Sequence, residues 1–294
     1  MLERLARAVY RRLNPAARNA LRTWLVLDAA DRDPQLIERF DEARVLVLAP
    51  HCDDEVIGCG GTIVRHVSAG SIVHVAYMTD GRRGSGELLS ASGSGAERSR
   101  RQAELVAVRK RESRLAAAVL GSQVLHFLDR PDSELRPDVD TVSMLAALLS
   151  DVRPELVYLP FVYDAHRDHW QTNRVFAAAV SRVDTDTARS LRVRGYEVWT
   201  PLPANRVADV TQVMSVKRHA LAQFGSQLSD QDYLRASEGL AAYRSIGVLH
   251  GRGFAEAFHE TGLAAYLRLI RAATAHGAHA RPVRCAPTAA GGAD

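Results

Sequence analysis

Residues 49–61 read APHCDDEVIGCGG and hold the densest chemistry in the chain. His51 and Asp54 stand three residues apart, a spacing that lets both converge on one cation from a strand-to-helix turn. Asp53, between them, is left beside that cation without being needed as a ligand. A second cluster, residues 164–169 (DAHRDH), offers His169 or His166 as a third ligand. Two histidines and one carboxylate with an open fourth position describe a catalytic zinc site. Bound Zn2+ lowers the pKa of its water from about 15.7 to about 7, and a free carboxylate such as Asp53 can then move that water's proton. A second histidine near the ion, if protonated, would stabilise the negative oxygen that develops on an attacked carbonyl. This is the equipment of an amide or ester hydrolase.

Either cluster alone says little. Asp53, Asp54 and Glu55 also read as helix caps, because carboxylates at a helix start are stabilised by the dipole whatever their function. That explanation takes each residue singly and leaves their joint placement unaccounted for. Placement depends on the elements. From residue 44 onward, short apolar runs alternate with helical stretches. Val45–Ala49, Ile72–Thr79, Val124–Leu128, Leu156–Phe161 and Tyr196–Trp199 predict strands. Val56–Ser68, Ala96–Leu120, Val139–Val152 and Trp170–Arg182 predict the helices between them, with Val213–Phe224, Asp230–Ile246 and Leu263–Ala275 beyond. Runs apolar on both faces suit parallel strands covered on both sides, so the chain is expected to be an α/β three-layer sandwich with a mostly parallel sheet. Both clusters then follow strand ends on one sheet edge, where ligands collect in open α/β folds.

With 294 residues, 47% apolar and 24% charged, there is enough to build a sizeable core. A wholly disordered chain is excluded, and no apolar stretch approaches the roughly 20 residues of a membrane span. The net charge of +4 belongs to residues 1–23, which carry six arginines against one glutamate, so the remainder sums to −1. A nucleic-acid-binding face is not expected. Three cysteines (Cys52, Cys59, Cys285) form no disulfide framework and no apolar signal segment follows the basic start, which points to the cytoplasm. Residues 1–40 are expected as a basic helical segment, 41–275 as the catalytic domain and 276–294 as a disordered tail. Over residues 1–13 the apolar positions recur at helical spacing with arginines opposite. Packing on the domain is the first reading of that stripe, and peripheral contact with an anionic membrane is the second. Gly84–Gly95 reads as a mobile small-residue loop.

PHCDDEVIGCGG resembles the P-H-x-D-D-E-x-x-x-G-G signature of the PIG-L (LmbE-like) zinc-dependent N-deacetylases, and DAHRDHWQT resembles that family's D-x-H-x-D-H motif. Weaker echoes are Thr79-Asp80-Gly81, Arg109-x-x-Glu112, residues 128–135 (LDRPDSEL), Lys217 with Ser226-Gln227, and Glu256-Ala257-Phe258. The likeness spans about residues 42–262. It implies a Rossmann-like fold removing acetyl from an N-acetylglucosamine-type amino sugar or glycoconjugate. Carried over residue by residue, it implies that His51, Asp54 and His169 hold Zn2+, with Fe2+ as the alternative ion. Asp53 would be general base and His166 would polarise the acetyl carbonyl. Asp164 and Asp168 would orient the histidines, and Arg109, Asp132 and Asp80 would touch substrate. One departure is Cys52, where proline is commoner; a small buried filler is its expected role.

Other residues carry plainer expectations. Gly58, Gly60 and Gly61 are not a dinucleotide loop and suit close helix-to-strand packing. His74 and His126 are expected as core histidines. Arg82 and Arg83 suit either an anionic substrate group or a solvated loop, while Trp170 and Tyr163 suit either packing or sugar stacking. A non-haem Fe(II) enzyme shares the ligand set, though the spare carboxylate and the β-α alternation oppose it. A membrane-tethered sugar-binding protein is the non-enzymatic alternative.

Overall fold

The computed structural model describes residues 33–84, 94–121, 123–184 and 191–275, with the isolated positions 10, 12, 13, 17 and 188. The expected N-terminal helices, the small-residue loop over 85–93 and the tail from 276 lie outside the described residues. Eight strands form one sheet: β1 (Gln35–Leu36), β2 (Arg44–Ala49), β3 (Ile72–Thr79), β4 (Gln123–Arg130), β5 (Leu156–Pro160), β6 (Arg192–Tyr196), β7 (Arg206–Asp209) and β8 (Ala255–Gly262). Their spatial order is β1-β7-β8-β6-β5-β2-β3-β4. The run β4-β3-β2-β5-β6 is parallel throughout, whereas β8 is antiparallel to both β6 and β7.

Why β2 is a buried parallel strand follows from its sequence, RVLVLA. Val45, Val47 and Ala49 enter the core on one side of the sheet, and Leu46 and Leu48 enter the core on the other. One layer over the first core includes α1 (Asp54–Ser68), α2 (Gly95–Leu120), and later α5 (Met214–Leu221), the single-turn α6 (Gly225–Leu228) and α7 (Tyr233–Arg244). The opposite layer includes α3 (Val139–Val152) and α4 (Arg167–Val180), and after the short α8 (Ile246–Leu249) it gains α9 (Leu263–Ala275). The mostly parallel three-layer architecture is the one the β-α alternation implies.

Helix starts are marked by their caps. Ser94 and Glu97 form a reciprocal capping box on α2, and Asp138 accepts from the Thr141 amide to start α3. The glycines of α1 let the helix press on the sheet: a Cβ at Gly58 would lie 2.2 Å from the Tyr196 ring, and one at Gly61 2.6 Å from Val210. The fifth expected strand, Tyr196–Trp199, lies four residues earlier, over Arg192–Tyr196. β6 stops at Tyr196, so residues 197–199 are free to turn toward the site. β7 and β8 escape pattern reading because they are short or alternate alanine with buried Glu256 instead of β-branched residues. His74 and His126 are not core residues. They are half-exposed on neighbouring strands and hydrogen-bonded to each other at 3.0 Å. Among the described residues, no helix is long and apolar enough to cross a membrane.

Candidate metal centre

β2 lies between β3 and β5, so successive crossovers leave it in opposite directions and open a crevice at its C-terminal end. Residues 50–54 follow β2 there, and 161–169 follow β5 beside it. The topology thus brings the two clusters to one place: the His51 and His166 rings are 4.7 Å apart, and those of His166 and His169 4.8 Å.

The first turn is strained and tightly held. Asp53 has φ 130, a conformation that costs a non-glycine residue about 1–3 kcal/mol and persists only where its surroundings over-determine it. They do so here. The Asp53 amide donates to Glu55 Oε2 at 3.1 Å, and Glu55 Oε1 accepts from the Tyr77 hydroxyl at 2.8 Å. Arg109 Nη2 donates to the Cys52 carbonyl at 2.7 Å, and the Thr79 hydroxyl donates to that of Pro50 at 2.8 Å. Just inside α1, the helix breaks at Cys59 (φ −147, ψ 23). A buried pair mends the break: Lys217 Nζ donates to the Ile57 carbonyl (2.8 Å) and to Glu256 Oε1 (2.7 Å), while Glu256 accepts from the amides of Gly61 (2.9 Å) and Thr62 (2.7 Å). Lys217 and Glu256 thereby fix the turn that carries Asp54. Their sequence signal is faint, because a lysine and a glutamate thirty-nine residues apart carry no spacing that announces a pair.

Asp54 Oδ2 is the focus of the centre. It lies 3.2 Å from His51 Nδ1 and 3.2 Å from His169 Nε2. Two ligands about 2.0–2.1 Å from a tetrahedral zinc are separated by about 3.3 Å, which is close to these spacings. The second ring nitrogens face carboxylates from behind. His169 Nδ1 is 3.1 Å from Asp164 Oδ1, and His51 Nε2 is 3.4 Å from Asp168 Oδ2 and 3.5 Å from Asp132 Oδ1. Carboxylates in that place fix ring orientation in metal sites. His169 is fully buried, yet neither of its nitrogens makes an aligned hydrogen bond. Such orphaned nitrogens beside a carboxylate suit an ion better than a hydrogen-bond network.

Charge makes the same demand. Asp53, Asp54, Asp132, Asp164 and Asp168 are all buried, with Arg109 the buried guanidinium in contact with Asp53. Burial works against a charged His169, but Asp54 and Asp164 prevail and lift it to about 9. Burial likewise opposes charge on His51, where Asp132, Asp168 and Asp54 prevail and raise it. A cluster that draws protons onto two imidazoles this strongly also favours a divalent cation. His51, His166 and His169 offer nitrogens within 4.8 Å of one another, as do His51, Asp132 and Asp168 their ligand atoms. The donor set fits a metal.

The remaining candidates sort by position. Burial pushes the Asp53 carboxyl up to about 7, against the pull of Arg109 and with the help of Asp54. His166 caps α4, its Nδ1 accepting from the Asp168 amide at 3.2 Å. That leaves Nε2 to carry the proton of the neutral ring, so donation to an oxyanion needs no imidazolium, unlike the expectation from sequence. Arg109 and Asp132 line the cleft. Asp80, expected at the substrate, is not among the lining residues. Its carboxylate is taken by Arg82 Nε (2.7 Å) and the Asp132 amide (3.3 Å), so it stands behind Asp132. Trp170 is buried packing, and Tyr163 is exposed and does not line the cleft. Gln227, named only in a weak family echo, lines the cleft with Trp199 and Tyr233, which sequence reasoning missed; the cleft holds about 150 Å3. Only the position of Trp199, just past a strand end, offered a signal.

The family profile described as GlcNAc-PI de-N-acetylase (PIG-L) matches residues 46–180. A diacetylchitobiose deacetylase from Thermococcus kodakarensis is 30% identical over 247 residues, covering 76% of this chain and 85% of the relative. A 4-oxalmesaconate hydratase from Pseudomonas putida is 28% identical over 225 residues, 70% of this chain and 84% of the relative. The solved structure of N,N'-diacetylchitobiose deacetylase from Pyrococcus horikoshii superimposes with a TM-score of 0.64 at 25% identity, covering 84% of this chain and 94% of that one.

Proposed function

This chain belongs to the PIG-L (LmbE-like) family, and on that premise we propose that it is a metal-dependent deacetylase of an N-acetylglucosamine-type sugar or glycoconjugate. The observation that carries the reading is Asp54 Oδ2 set between His51 Nδ1 and His169 Nε2 with Asp53 next in the chain. His51, Asp54 and His169 would hold the ion, with Zn2+ expected. When bound, that ion supplies Lewis acidity and a water that is readily deprotonated near neutral pH.

The chain's own residues do the rest. Asp53, ionised and held by Arg109 at 3.4 Å, takes the proton of the attacking water and returns it to the departing amine nitrogen. His166 donates from Nε2 to the acetyl oxygen as negative charge gathers on it. Asp164 and Asp168 keep the His169 and His51 rings in place. Arg109 and Asp132 present charge to the sugar hydroxyls from the floor of the cleft. Products are acetate and the free amine.

The test is acetate release from a panel of N-acetylhexosaminides differing in aglycone, before and after chelation and after return of Zn2+ or Fe2+. Release that chelation abolishes and Zn2+ restores supports the proposal; no release from any member overturns it. The hydratase relative favours a second reading, addition of water without loss of acetate. Water uptake by an unsaturated acid with no acetate release from the panel would select it.

A further inference from the structure

The cleft has two unlike walls. One is polar and charged, built by Arg83, Asp132 and Ser133. The other is apolar, built by Ile57, Val198, Trp199 and Tyr233. Trp199 and Tyr233 come from distant parts of the chain and meet edge to face, with ring centroids 6.1 Å apart. Aromatic pairs of this geometry hold each other in place. The wall is also tied to the metal centre: the Trp199 amide donates to Asp164 Oδ2 at 2.9 Å, and Asp164 Oδ1 is the atom behind His169. Tyr233 starts α7 directly after its cap, Asp232, and packs against the core below the cleft.

Both aromatic residues keep an unspent polar handle. Among the described residues, neither the Tyr233 hydroxyl nor the Trp199 indole N–H has a hydrogen-bond partner. Burial, with Asp53 and Asp54 nearby, pushes the Tyr233 phenol up, so it stays an O–H donor at any working pH. The two residues differ in depth. Tyr233 is half-buried beside the floor, whereas Trp199 is 43% exposed at the rim. Flat apolar faces with free donors at their edges complement a pyranose ring, which has C–H groups on its faces and hydroxyls around its edge. An alkyl chain would lay apolar surface against Arg83, Asp132 and Ser133 across the cleft and satisfy none of their remaining polar capacity. A flat anion would meet Asp53, Asp54 and Asp132 at like charge.

We propose that Tyr233 and Trp199 are a specificity wall for a substrate of at least two joined pyranose rings. Tyr233 packs on the N-acetylated ring and donates to it, and Trp199 carries the face of the next ring outward. The inference rests on the deacetylase reading of the cleft and names the substrate class for it.

The experiment compares kcat/KM for N,N'-diacetylchitobiose and for N-acetylglucosamine in the metal-loaded wild type and in Trp199→Ala, Trp199→Leu and Tyr233→Phe, each checked for wild-type circular dichroism. The wild type should prefer the disaccharide. In Trp199→Ala that preference should fall at least about fivefold, the scale of one lost aromatic contact, and Trp199→Leu should fall between. Tyr233→Phe should lower kcat/KM for both sugars and leave their ratio in place. A ratio within twofold of wild type in Trp199→Ala, or no disaccharide preference in wild type, overturns the inference. Calorimetric binding of chitobiose, which carries no acetyl group, separates the two claims. Weaker binding in Trp199→Ala supports the wall even if no acetate is released, and unchanged binding overturns it.

Discussion

Lys217→Met should be among the most damaging single changes outside the metal cluster. Lys217 and Glu256 have side chains 2% and 3% exposed, and their charges meet at 2.7 Å. Removing one partner of a buried ion pair costs about 3–5 kcal/mol, because the other charge stays buried and unpaired. Glu256 keeps the amides of Gly61 and Thr62, which places the loss near the lower end. The Ile57 carbonyl also loses its donor, adding about 1 kcal/mol. The expected destabilisation is therefore about 4 kcal/mol, a large part of the roughly 5–15 kcal/mol that holds a domain together. Urea titration of wild type and variant reads it directly. Adding Glu256→Gln to Lys217→Met removes the stranded charge, so the double variant should be at least about 1 kcal/mol more stable than the single. A single-variant loss under about 1 kcal/mol, or a double variant no better than the single, would refute the reasoning.

Other expectations are equally direct. Asp53→Asn should retain the metal while slowing turnover at least about a hundredfold, as for a lost general base; a turnover within tenfold of wild type would move that role elsewhere. His66 is buried, with Nε2 2.9 Å from the Tyr158 hydroxyl. Burial pushes it down to about 3, and Arg194 and Arg192 add to the shift. Its folded value lies below the unfolded value of about 6.5, so the unfolded chain takes the proton first as pH falls. Stability from this group is complete above about 6.5 and drains toward 3. Between pH 7 and 5 the wild type should therefore lose about 2 kcal/mol more than His66→Gln in urea titrations. Equal losses would contradict it.

The residues that could hold an ion were legible in the sequence because their spacing and their position after apolar strands are both local properties. The parallel strands β2, β3 and β5 were legible for the same reason: an uninterrupted β-branched run has few other homes. What escaped was non-local. β8 carries the buried Glu256 in an alanine-rich segment that no periodicity marks as a strand. Tyr233 sits in a helix whose sequence gives no hint that its first residue meets Trp199 in one wall of the cleft. Asp80 looked like a residue lining the site because it follows a strand, but Arg82, two residues on, turns its carboxylate aside. The neutral donor role proposed for His166 depends on the Asp168 amide capping its Nδ1, which is a contact made only once α4 begins there.

The centre is held to bind one divalent ion through both motifs, and hydrolysis is held to depend on it. Purified His169→Ala, measured for zinc by mass spectrometry and for acetate release on the same sample, tests this most directly. The expected result is loss of metal and of activity together, with the fold intact by circular dichroism. Full metal occupancy in that variant would contradict the account.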